Sequence, residues 1–229
     1  MGIRINITAL VCIAYAIVAL LSCNGYPKDG LQWLDDDRYD CYVLKDGTVY
    51  LEFCYEEGQT VAVPSQIEGY SVSTIGKESF SECTDMVQVL LPNTIELIDE
   101  GAFHLCDSLQ SIEMSNKLTE IKDYAFSGCY ALASIDLPRS LRFIGEGAFA
   151  DCTSLCTVSI PNGVTSIGDW CFVNCSNLKI IEIPVSVEFI GENCFDGCLG
   201  ICVFTPKGSY AEVYCMKKGI TCFNTEIPR

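Results

Sequence analysis

From Ile75 to Phe204 apolar and polar positions return in one fixed order every 23 residues. The order is clearest in Val164-x-x-Ile167-Gly168-x-x-Cys171-Phe172-x-x-Cys175-x-x-Leu178-x-x-Ile181-x-Ile183-Pro184. A constant period of this length predicts a solenoid, in which each coil buries its apolar side only by stacking on its neighbours. Within a coil, Val89-x-Leu91, Ile112-x-Met114, Ile135-x-Leu137, Val158-x-Ile160 and Ile181-x-Ile183 alternate with period two. They predict strands whose named residues point inward and whose neighbours point to solvent. A second apolar pair follows at i and i+3, as in Ile95/Ile98 and Val164/Ile167. A short helical turn is then expected around the segment Ala102-Phe103-x-x-Cys106 and its equivalents.

The flanks predict caps. Residues 24–40 read as a polar linker, with glycines, a proline and the run Asp35-Asp36-Asp37. In 41–60, Asp46-Gly47 stands between two β-prone runs, a strong hairpin signal and a candidate cap for the first coil. The solenoid proper spans 61–205, its first coil lengthened by a turn at Glu68-Gly69-Tyr70. Residues 206–229 leave the pattern: Gly208 and Ser209 start a helix over Ala211–Lys218, Gly219 stops it, and Ile220–Phe223 reads as a last strand.

Residues 1–23 read as a targeting segment, with Arg4 before the apolar stretch Ala9–Leu21. Three alternatives stay open: a cleaved signal peptide, a lipoprotein signal in which Cys23 carries the lipid, and an uncleaved anchor. Each places the protein outside the cytosol or at a membrane surface. Met1-Gly2 does not make a myristoylation signal, because position 6 is Asn6. The formal charge is −16, from 30 acidic and 14 basic residues. Such a surface repels phosphate backbones and anionic headgroups, which argues against nucleic acid as a partner and leaves the membrane only to the N-terminal segment.

Cys83, Cys106, Cys129, Cys152, Cys175 and Cys198 form one column, each preceded by a phenylalanine three residues earlier. Parallel stacking would hold their Cβ atoms about 5 Å apart, where a disulfide wants about 3.8 Å. Free, buried thiols are therefore expected. Cys171 and Cys194 replace the alanines of earlier coils, one small buried residue for another. Cys41 and Cys54 flank the hairpin turn and are candidates for a disulfide; Cys202, Cys215 and Cys222 could supply one bridge in the C-terminal cap.

Gly145-x-Gly147-x-x-Ala150 matches a dinucleotide fingerprint only formally, since no βαβ unit surrounds it. P-loop, nucleophile-elbow and zincin motifs are absent, and His104 is the one histidine, so no enzymatic activity, cofactor, metal or small-molecule substrate is expected. A carboxylate ladder, Glu100, Asp123, Glu146, Asp169 and Glu192, reads as first-turn acids of the short helical turns.

The segment Ile144-Gly145-Glu146-Gly147-Ala148-Phe149-Ala150-Asp151-Cys152-Thr153-Ser154-Leu155 closely resembles the repeat of BspA-type leucine-rich-repeat proteins. Pro206-Lys207-Gly208-Ser209-Tyr210-Ala211-Glu212 resembles their terminal cap, so the likeness covers about residues 40–223. It implies a leucine-rich-repeat solenoid and a secreted or cell-surface protein, some relatives being adhesins that bind matrix proteins or cells. The motif carries no catalytic residues. The expected function is protein–protein interaction at the cell surface or outside the cell, with a structural surface coat as the alternative. The candidate face is the outward strip Gln88, Leu90, Ser111, Glu113, Ser134, Asp136, Thr157, Ser159, Ile180 and Glu182, expected to meet an extracellular protein or cell-surface ligand.

Overall fold

The computed structural model describes residues 31–56 and 58–225; the targeting segment with Cys23, and residues 24–30 of the expected linker, lie outside them. From Trp33 onward the described residues form one compact unit. It opens with β1 (Gln32–Asp36), β2 (Tyr39–Val43) and β3 (Val49–Cys54), side by side in one sheet. The linker expectation is corrected here: β1 occupies its second half because Leu34 is buried and Trp33 packs edge-on to Tyr42 at 5.4 Å. The hairpin falls where Asp46-Gly47 put it. Gly47 is left-handed (φ 82°), and Asp46 Oδ1 accepts from the Thr48 amide at 2.9 Å.

β4 (Thr60–Ala62) begins the first coil, and β5 (Gln66–Ile67) and β6 (Tyr70–Ile75) form a small antiparallel hairpin at Glu68-Gly69. From there each coil supplies two sides of the solenoid. One side holds β7 (Gln88–Leu90), β9 (Ser111–Glu113), β12 (Thr157–Ser159) and β14 (Ile180–Glu182). The other holds the two-residue strands β8 (Leu97–Ile98), β10 (Glu120–Ile121), β11 (Phe143–Ile144), β13 (Ser166–Ile167) and β15 (Phe189–Ile190). β16 (Cys202–Pro206), helix α1 (Tyr210–Lys218) and β17 (Thr221–Thr225) close the array. No described helix is long and apolar enough to cross a membrane.

The longest sheet is the one that alternation did not announce. It runs β1-β2-β3-β6-β8-β10-β11-β13-β15, with Ile98, Ile121, Ile144, Ile167 and Ile190 stacked inward in parallel register. The expected sheet is present but divided into β4-β7-β9 and β12-β14-β16-β17. Between them, the segment Ile135-x-Leu137 forms no strand and its coil contributes to this side only the bridge Ser134–Thr157.

The third corner corrects the expected helical turn. Two columns per coil are left-handed: Glu78, Gly101, Tyr124, Gly147, Trp170 and Asn193, then Glu82, Leu105, Gly128, Asp151, Asn174 and Gly197, with φ from +51° to +80°. The left-handed residues reorient alternate peptide groups along the array. The Phe103 amide donates to Ala125 O of the next coil at 2.8 Å, while the Cys106 amide turns back to Phe103 O at 3.4 Å. A left-handed residue with a side chain costs about 1–2 kcal/mol, and the corner is built this way because otherwise buried peptide groups would lack partners.

Inside this corner Phe80, Phe103, Phe126, Phe149, Phe172 and Phe195 form one stack, with centroids 5.0 to 5.9 Å apart. Tyr214 of α1 closes the stack edge-on to Phe195, at 6.1 Å and 76°. Each stacked pair adds about 0.5–1.5 kcal/mol to simple burial. Ser209 caps α1 by accepting from the Glu212 amide, and left-handed Gly219 (φ 68°) ends it, as the Gly208-Ser209 and Gly219 signals predict.

Gly145, Gly168 and Gly191 follow the inward isoleucines because the coils approach too closely there for a side chain. A Cβ on Gly168 would lie 2.4 Å from Glu146 N and 2.5 Å from Gly145 C, both backbone atoms that cannot swing aside. Gly168→Ala is therefore expected to destabilise the fold by about 3 kcal/mol, read as a lower midpoint of urea unfolding; an unchanged midpoint would show that the coils can spread.

Candidate functional site

Strand register sets the candidate face as two columns. In one, Gln88 pairs Ser111, Ser134 bridges Thr157, and Thr157 pairs Ile180; in the other, Leu90 pairs Glu113 and Ser159 pairs Glu182. Glu113, Ser134, Asp136, Thr157, Ser159, Ile180 and Glu182 are exposed, while Gln88, Leu90 and Ser111 are half-buried. The inward neighbours Val89, Ile112, Ile135, Val158 and Ile181 are all buried, so the expected alternation is seen along the whole strip. The division of the sheet falls between the rungs that carry Glu113 and Asp136, two like charges.

The face extends further than its expected ends. β4 adds Thr60 and Ala62 in register with Gln88 and Leu90. Beyond Ile180 and Glu182 come Cys202 and Phe204, then Thr221 and Phe223. The Phe204 and Phe223 rings stack at 5.2 Å. The face therefore runs from mildly apolar, through acidic, to aromatic. Ser159 Oγ donates to Glu182 Oε2 at 3.1 Å, and no basic side chain stands in either column.

A concavity of about 170 Å³ lies at the left-handed corner, lined by Glu78, Glu100, Gly101, His104 and Tyr124. It is smaller than the roughly 300–1,000 Å³ of ligand pockets, and no hydroxyl or thiol nucleophile of serine or cysteine lines it. Tyr124 donates to Glu146, which with burial pushes its phenol up to about 12.

The carboxylate ladder takes part in the backbone ladder. Asp123 Oδ1 accepts from the Glu146 amide and Asp169 Oδ1 from the Glu192 amide, each at 2.8 Å, and Glu100 pairs with Lys77 Nζ at 3.0 Å. Asp123 and Asp169 thus serve the next coil's amides rather than the first turn of a helix. The residues of the formal dinucleotide match have structural duties too: Gly145 leaves room for Asp123, and Gly147 is left-handed (φ +54°).

The cysteine column also carries more than volume. Cys106, Cys129, Cys152, Cys175 and Cys198 donate S–H to the carbonyls of Phe80, Phe103, Phe126, Phe149 and Phe172 in the preceding coil, at 3.0 to 3.2 Å. Burial raises the Cys106 thiol, and pushes Cys152 up to about 12, so both stay protonated at neutral pH. In the hairpin, Cys41 lies opposite Leu51 and Cys54 opposite Tyr39, with a register shift at Asp40/Cys41; both thiols are free and buried. Burial, and then the neighbouring Cys222, pushes the Cys215 thiol up to about 12. Cys156, outside the 23-residue column, was not singled out by the pattern. It is exposed, and its place between Ala133 and Lys179 in an outward column was the available signal.

A family model for the BspA-type leucine-rich-repeat region matches residues 73–202 in six copies. Three solved structures resemble the chain. The leucine-rich-repeat protein of T. pallidum is 28% identical with a TM-score of 0.69, covering 84% of this chain and 99% of its own. A leucine-rich-repeat protein of Bacteroides ovatus is 29% identical with a TM-score of 0.66, over 89% of this chain and 53% of that one. A leucine-rich cell-surface protein of Faecalibacterium prausnitzii is 25% identical with a TM-score of 0.65, over 80% and 56%. The chain thus spans about half the length of the last two. No curated protein matches it.

The thiols give this geometry a direct check. Cys83, the first of the column, is half-buried rather than buried as expected. Alkylation of the native protein at pH 8, followed by peptide mass analysis, should therefore modify Cys156 first among the described cysteines and leave Cys106, Cys129, Cys152, Cys175 and Cys198 unreacted until denaturant is added. Early labelling of Cys129 or Cys152 would contradict the packing.

Proposed function

Because the chain belongs to the BspA-type leucine-rich-repeat family, we propose that it acts at the cell surface or outside the cell as a protein-interaction module, binding a partner protein through the strip from Gln88 to Glu182. The observation that carries this reading is the pair of outward columns held in register by a rigid core. Their side chains are free of the structural duties that occupy the other corners. Family members are typically surface proteins, and one similar structure is of a cell-surface protein. Adhesion to host cells or matrix is the form of this activity that such a face serves.

The partner's chemistry follows from the charges. Glu113, Asp136 and Glu182 stand on the strip without a basic neighbour in either column, within a chain of charge −16. A basic protein surface meets these requirements, and charge complementarity would speed encounter more than it tightens the final complex. Small polar side chains between the acids, Ser134, Thr157 and Ser159, supply hydrogen-bonding capacity with little ordering cost.

The test is the triple substitution Glu113→Lys, Asp136→Lys and Glu182→Lys, compared with the parent protein on intact cells and matrix-coated surfaces. Binding should fall at least tenfold, and parent binding should weaken as salt rises and the Debye length shrinks. Circular dichroism should be unchanged, since all three side chains are exposed. Unchanged binding would remove this face from the interaction.

A further inference from the structure

The two ends of the array are built differently. β1, the first strand of the long sheet, runs into Asp35, Asp36 and Asp37, and such a charged edge resists strand addition. β17 is the last strand of its sheet, paired in unbroken register with β16 on one side and with no described strand on the other. Its sequence, Thr221-Cys222-Phe223-Asn224-Thr225, has no charge and no proline, and its pairing has no bulge. Among the described residues, none of the usual devices protects this edge.

The surface around it is equally open. A solenoid's terminal cap needs a polar outer face to remain alone in water. Here α1 buries Ala211, Tyr214 and Cys215 and turns Tyr210, Val213 and Met216 to solvent at i, i+3 and i+6, with Met216 72% exposed. Phe223 is 47% exposed beside its stacking partner Phe204. Charge also singles out this end: residues 199–225 hold Lys207, Lys217 and Lys218 against Glu212 alone, in a chain that is otherwise strongly acidic. Two copies therefore meet with least repulsion here.

The strand itself specifies the occupant, because its sequence is nearly symmetric about Phe223. An antiparallel second copy centred there sets Thr221 opposite Thr225 of the second copy and the two Phe223 rings opposite each other. Thr–Thr and aromatic–aromatic pairs are among the favourable cross-strand combinations. We propose that the protein forms a two-fold dimer in which the β17 strands of two copies pair antiparallel, joining their C-terminal sheets into one. The Phe204–Phe223 stack then continues across the axis into its counterpart. A two-fold contact is self-complementary and closes, so assembly stops at two copies.

The experiment measures mass against concentration by light scattering and sedimentation, on protein expressed from the full 229-residue sequence. Twice the chain mass is expected. Thr221→Lys alone, or Thr225→Glu alone, should raise the dissociation constant at least tenfold. The double variant should recover most of the loss, because the two substituted side chains face each other across the axis. Hydrogen exchange supplies a reading that needs no variant: the Thr221–Thr225 amides should gain protection as the parent protein is concentrated. Monomer mass at every concentration overturns the proposal. So does a dimer indifferent to both single substitutions, or a double variant as weak as the singles combined.

Discussion

Everything in this molecule depends on the backbone hydrogen bonds that lock one coil onto the next. They act at three places around each turn: the divided sheet, the long sheet of two-residue strands, and the left-handed corner. The rise they impose is the strand spacing, about 4.8 Å. Other features fit that distance. Aromatic rings stack comfortably at 5.0 to 5.9 Å, so one phenylalanine per coil makes a continuous column. At Gly145, Gly168 and Gly191 glycine follows the inward isoleucine because neighbouring backbones meet there. Cysteine suits its column because a small side chain with a donor can reach the phenylalanine carbonyl of the coil before it.

The same constraint explains what the sequence disclosed. Side chains that face the core repeat visibly, so the period, the phenylalanine and cysteine columns, the Asp46-Gly47 hairpin and the Ser209/Gly219 helix caps were all readable. Two-residue strands such as Leu97–Ile98 are too short to display alternation, and the longest sheet stayed hidden behind an i, i+3 apolar pair. The corner resembled a helical turn because it contains i to i−3 bonds. Its left-handed columns are masked by Tyr124, Trp170 and Leu105, which occupy positions where glycine or asparagine would have signalled the conformation. β1 was concealed by the aspartates around it, although buried Leu34 belongs to the core.

For the candidate face the disclosure was of a different kind. Direction was legible: alternation placed Glu113, Asp136 and Glu182 outward, and they are exposed. Extent was not, because Phe204 and Phe223 belong to the face through the register of β16 and β17, beyond the last full repeat. Nor was the interruption at Asp136, whose coil keeps the apolar pattern of a strand without forming one. Pattern reports what a side chain must bury, and says less about which backbone groups find partners.

In a solenoid, function must occupy columns that the ladder leaves free. The long sheet's inner column is isoleucine throughout the repeats, and the corner is spent on rings, thiols and left-handed turns. The outer columns of the divided sheet carry no such duty, and they are the ones whose chemistry drifts along the array, from Ala62 and Leu90 through the acids to Phe204 and Phe223. A drift confined to unconstrained positions means that different stretches of one face can meet different chemistry. The acidic middle suits a polar, basic surface, whereas the aromatic end joins an unprotected strand edge and suits continued β-pairing. Both uses fit on one face because the stacked core beneath them is indifferent to what its outward neighbours display.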